Sequence, residues 1–109
     1  MLNWKKIKVL FPHSYNRFVE VMFPYVGVLG LSTLYLFEVK KLYYFFDKEK
    51  IFLTVERFGH NQWVYIITMG DGRVLCPKQS IRDSRDEIEL DGFMECFKLL
   101  NKQIEPKTV

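Results

Sequence analysis

Ile51-Phe52-Leu53-Thr54-Val55-Glu56-Arg57-Phe58, a Gly59-His60-Asn61 break and Gln62-Trp63-Val64-Tyr65-Ile66-Ile67-Thr68-Met69 follow one another in mid-chain. Both runs are rich in β-branched and aromatic residues, which favour a pleated, half-buried surface. In the first, Ile51, Leu53 and Val55 share one face, and Phe52, Thr54 and Glu56 share the other. The second is apolar enough for the centre of a sheet. Gly70-Asp71-Gly72 then marks a hairpin, because Asp-Gly readily adopts the positive φ values of a type I′ turn. Arg73-Val74-Leu75-Cys76 returns as a short third strand, and Pro77, which has no N–H, stops it. Loops this short make the strands antiparallel neighbours.

Outward from this sheet the apolar period changes to that of helices. Downstream, Ser84-Arg85-Asp86-Glu87 is a capping box, with Glu three residues after Ser. Leu90, Phe93, Phe97, Leu100 and Ile104 continue it as a helical stripe that Pro106 closes. Upstream, Leu31, Tyr35, Val39, Leu42 and Phe46 form a second stripe, with Ser32 as its cap. Ser14 caps a short helix through Phe23 that Pro24 ends, and residues 25–30 read as a connection. Residues 4–11 are mixed, readable as a strand or a helical turn.

A three-stranded sheet cannot bury its face alone, so helices must cover it. The expected fold is therefore α+β. Strands lie near 51–58, 62–69 and 73–76, helices near 32–47 and 84–104, with a short N-terminal helix before them. With 109 residues the chain is one domain. Residues 31–105 form its core, and 1–30 are an extension packing on it.

Leu42-Tyr43-Tyr44-Phe45-Phe46-Asp47-Lys48-Glu49-Lys50, running into Ile51-Phe52-Leu53-Thr54-Val55, resembles a segment of small uncharacterised proteins of phages and prophages of gut Bacteroidetes. So does Ser84-Arg85-Asp86-Glu87-Ile88 continuing to Cys96-Phe97-Lys98-Leu99-Leu100. The resemblance covers about half of the chain. Where that pattern tends to carry alanines, this chain has Ile88, Gly92 and Cys96. The resemblance implies a fold and a mobile-element origin, and brings no activity or site residue. The order helix, three strands, helix is also similar to that of double-stranded RNA-binding domains, which use basic residues at the start of the last helix. Here that region carries Asp83, Asp86, Glu87, Glu89, Asp91 and Glu95 against Arg82 and Arg85, a charge that repels phosphate.

Candidate chemistry is sparse. His60 has no nucleophile or carboxylate beside it, and reads as a hairpin-loop residue. His13 flanks a helix cap. Cys76 and Cys96 lack metal-ligand spacing and read as small core residues. Glu38-Val39-Lys40 imitates part of a nuclease motif but falls inside a helix. No catalytic residue, cofactor site or metal site is expected, and the chain reads as non-enzymatic.

Charge is asymmetric. Residues 1–50 carry eight basic and four acidic side chains, and residues 51–109 carry eight and nine. Lys5, Lys6, Lys8, Lys40 and Lys41, with strand aromatics such as Trp63 and Tyr65, form a candidate single-strand nucleic-acid platform. That is the alternative reading. Asp83, Asp86, Glu87 and Glu89 are a candidate surface for a basic partner, set against a plainer role as acids that complement the helix dipole. The leading expectation is an accessory protein that works by protein–protein contact. Sixteen of eighteen aromatic residues lie at or before Tyr65. That surplus of large apolar side chains favours a homo-oligomer.

Residues 21–37 carry no charge. As a helix, seventeen residues reach about 25 Å, short of a ~30 Å hydrocarbon core. Pro24, Gly27 and Gly30 also interrupt them, so a buried segment is expected rather than a membrane anchor. Lysines near the start lack the apolar run of a secretion signal. The expected compartment is the cytoplasm, that of the host cell if the chain is phage-encoded.

Overall fold

The computed structural model describes residues 2–29, 38–75 and 81–105. Four helices, α1 (Trp4–Leu10), α2 (Pro12–Leu29), α3 (Glu38–Lys48) and α4 (Arg85–Ile104), accompany four strands, β1 (Ile51–Arg57), β2 (Trp63–Met69), β3 (Val74–Leu75) and β4 (Ile81–Arg82). The fold is α+β, with an antiparallel sheet as its frame.

The middle of the chain folds as its alternation requires. β1 and β2 pair along their full length, from Ile51 opposite Met69 to Arg57 opposite Trp63. Gly59 and Asn61 take positive φ in the turn between them. The next hairpin differs in type. The Gly72 amide donates to the Met69 carbonyl at 2.9 Å, and Gly72 alone has positive φ, at 93°. This is a three-residue loop ending in a left-handed glycine, because a third loop residue leaves Asp71 free of positive φ. The Asp71 carboxylate instead accepts from the Arg73 amide and guanidinium.

The sheet has a fourth strand that its sequence does not announce. Ile81–Arg82 is two residues long, too short for a periodic signal, and pairs with β2 at Trp63 and Val64. β3 pairs with β2 at Ile67 and Thr68. The 32–47 helix is seen from Glu38, so its Leu31–Ser32 start lies outside the described residues, as does Cys76 at the end of the third strand.

One open helix reading resolves and two need correction. The mixed segment 4–11 is helix α1, with the Asn3 side chain accepting from the Lys6 amide as its cap. α2 starts at Pro12, where a proline loses no bond because the first N–H groups have no partner. It then continues through Pro24 to Leu29. A mid-helix proline costs about 3 kcal/mol and removes one bond, and burial of Phe18 and Met22 on α2 works against that cost. Ser14 is not a cap: it is buried inside the helix, its hydroxyl donating to the Phe11 carbonyl.

α3 and α4 pack on one face of the sheet, and α1 and α2 pack on the helices, not on the other face. The core joins Ile51, Leu53, Tyr65, Ile67 and Met69 of the sheet to a chain of aromatic rings. Trp4 stacks on Phe18 at 5.1 Å, Phe18 meets Phe45 at 5.1 Å, and Phe46 meets Phe97 at 4.9 Å. The N-terminal extension is thus one side of the core. Both stripes shift from their expected positions. On α3, Leu42, Phe45 and Phe46 are buried while Val39 is exposed. On α4, Ile88, Gly92, Cys96 and Asn101 are buried along with Phe93, Phe97 and Leu100, while Leu90 and Ile104 are half-buried.

Candidate interaction surface

Because strand side chains alternate, the face opposite the helices can be read from the register. Phe52 lies beside Thr68 and Val74, Thr54 beside Ile66, and Glu56 beside Val64 and Ile81. Five of these eight side chains are aliphatic or aromatic, two are threonine, and Glu56 is the one charge. Phe52 is 37% exposed, Ile81 40% and Val74 61%. The central residues Val64, Ile66 and Thr68 are half-buried. Sheets of antiparallel strands commonly turn a polar face to water. This one turns an apolar face, with no described helix against it.

The sequence-nominated nucleic-acid residues are not brought to one surface. Lys5, Lys6 and Lys8 stand exposed on α1, and Lys40 on α3, while Lys41 is half-buried. Tyr65 is 4% exposed, within the core. Trp63 pairs with Arg57 and shares the helix-side face with Tyr65, so it lies on the opposite face from Phe52. The Arg85 guanidinium sits 5.7 Å from the Trp63 ring centroid.

The acidic group divides as well. Ser84 caps α4, its hydroxyl accepting from the Glu87 amide, and Asp86 and Glu87 lie in the first turn at the positive end of the dipole. Glu89 is half-buried and accepts from the Tyr43 hydroxyl at 2.8 Å. Burial first, then that bond and the Glu89 charge, push the Tyr43 phenol well above its ordinary value. Asp91 holds the Arg82 guanidinium at 2.8 Å. Asp83, Asp86 and Glu87 remain exposed.

Beside this region, a groove of about 350 Å³ opens between the start of α1, β4 and α4. Leu90 and Met94 line it, which is why Leu90 leaves the core. Its charges alternate, Lys6 and Arg82 against Glu87 and Asp91, so they favour no one sign of ligand. His60 is exposed in its turn, and the His13 backbone amide donates to Asn101. Cys96 is buried, and burial pushes its thiol far up. Among the described residues no cluster of metal-ligating side chains occurs, and no helix is long and apolar enough to cross a membrane.

Comparison with family models, with curated proteins and with solved structures finds no match.

Proposed function

We propose that this chain is a non-enzymatic accessory protein of phage type that acts by protein–protein contact, with the open face of the sheet as its contact surface. The observation that supports this reading is the charge-poor, apolar face around Ile66, against which none of the described helices packs. Exposed apolar patches of this kind on small proteins mark contact sites. The prominent polar side chains support it too, because they serve structural pairs: Tyr43 with Glu89, Arg82 with Asp91, and Arg17 with Glu49.

Site-specific photo-crosslinking in cells producing the chain tests the proposal. A photoreactive residue replacing Val74, on the open face, is expected to give discrete protein adducts. The same residue replacing Lys8, on α1, is expected to give few. Nucleic-acid adducts at position 8 with none at position 74 would overturn the reading in favour of the alternative drawn from the lysines.

A further inference from the structure

We propose that the occupant of the open sheet face is a second copy of this chain, packed face to face as a weak, concentration-dependent homodimer. The proposal rests on the contact reading above and names its partner.

The charge pattern argues for a copy of the same chain. In a twofold contact, residues near the axis meet their own equivalents, so a charge placed there faces a like charge. This face avoids that conflict. Its middle holds Thr54, Ile66 and Thr68, all uncharged, and its single charge, Glu56, sits at the far end of β1, next to Arg57. Two such faces can close at the ~10 Å spacing of packed sheets, their aliphatic side chains interdigitating.

The dimensions argue for weak association. A seven-residue strand is about 23 Å long and three strands span about 14 Å, giving a footprint near 330 Å² per copy. A standard interface buries about 800 Å² per partner. A contact this small belongs with weak, transient encounters, so association is expected only at high protein concentration. β1 sets the limit on one side, since it is the edge strand of the sheet.

Sedimentation equilibrium of the purified chain, from low micromolar to hundreds of micromolar, is the test. The expected mass rises with concentration from 13.1 kDa toward twice that value. Ile66→Lys is expected to weaken association at least about tenfold, with amide NMR dispersion confirming that the variant folds. Val74→Lys, at a 61% exposed position, gives the same test without touching a half-buried side chain. A mass fixed at 13.1 kDa across the range would overturn the second copy while leaving protein crosslinks at position 74 to support the broader reading. A dimer that persists in both lysine variants would also overturn it, because the contact would then lie elsewhere.

Discussion

Gly92 is the place where α4 comes closest to the sheet, and Gly92→Ala sets two opposed effects against each other. In a helix interior, alanine is favoured over glycine by about 1 kcal/mol, through backbone entropy. A Cβ built at Gly92, however, lies 2.6 Å from Leu53 Cδ1, 3.1 Å from Leu53 Cδ2 and 3.3 Å from Tyr65 Cβ. The Leu53 methyls belong to a side chain, but Leu53 is buried, and Tyr65 Cβ moves only with the β2 backbone. Overpacking of this sort costs about 1–3 kcal/mol. The expected net result is destabilisation of up to about 2 kcal/mol, read from urea unfolding followed by helical circular dichroism with an unchanged m-value. Leu53→Val removes both Cδ atoms and on its own costs about 1 kcal/mol. Combined with Gly92→Ala it should cost less than the sum of the two, by at least about 1 kcal/mol, because the clashing atoms are gone. Stabilisation by Gly92→Ala alone, or strict additivity in the pair, would show that this close approach does not limit helix–sheet packing.

Asn101→Ala leaves the half-buried His13 amide and the buried Ser14 amide, from which the Asn101 side chain now accepts at 2.8 and 3.1 Å, without their acceptor. A loss of about 1–3 kcal/mol is expected in the same urea assay, with Asn101→Asp keeping most of the stability because it retains the acceptor. Cys96 has its thiol pKa raised by burial, so the folded state holds the proton that the unfolded state releases above about pH 8.5. Stability should therefore be unaffected by this group below that pH and fall above it by up to about 1.4 kcal/mol per pH unit. Cys96→Ala should flatten this decline, as measured by urea midpoints from pH 7 to 10. The Trp4 indole N–H is buried with no partner among the described residues, so Trp4→Phe, which keeps an aromatic ring against Phe18, should change stability by less than about 1 kcal/mol.

The alternation in β1 and β2 was legible because a strand that covers a core with one face repeats every second residue, and seven residues show that repeat clearly. The capping box was legible because Ser84 and Glu87 act locally. Other features had no local signal. β4 is two residues long, and Ile81–Arg82 becomes a strand only because β2 offers a free edge at Trp63 and Val64. α2 passes Pro24 because its stability comes from Phe18 and Met22 packed on distant helices, which outweighs a local rule. The sides that the strand aromatics take had no local signal either. Phe52 and Trp63 sit in different strands, and only the pairing of Ile51 with Met69 reveals that they face opposite ways. The open apolar face was recoverable once that register was known, since Phe52, Ile66 and Val74 then fall into one surface.

The stripe on α4 widens for a reason that explains the layout of the described chain. A single apolar stripe is the signature of a helix with one neighbour, and α4 has several. Gly92 lies against Leu53 and Tyr65 of the sheet. Phe93 meets Tyr43 and Phe46 of α3, at 5.0 and 6.2 Å between ring centroids. Phe97 touches Trp4, Phe18, Phe45 and Phe46, rings drawn from α1, α2 and α3. Asn101 holds the start of α2. Ile88, Gly92 and Cys96, four residues apart, form the column that joins these sides. A helix surrounded in this way gathers α1, α2 and α3 around itself and draws them to one side of the sheet. Among the described residues the opposite side of the sheet is then left without a helix, although its side chains are nearly as apolar as those of the covered side. The same packing that makes α4 the centre of the fold is what exposes the surface proposed for contact.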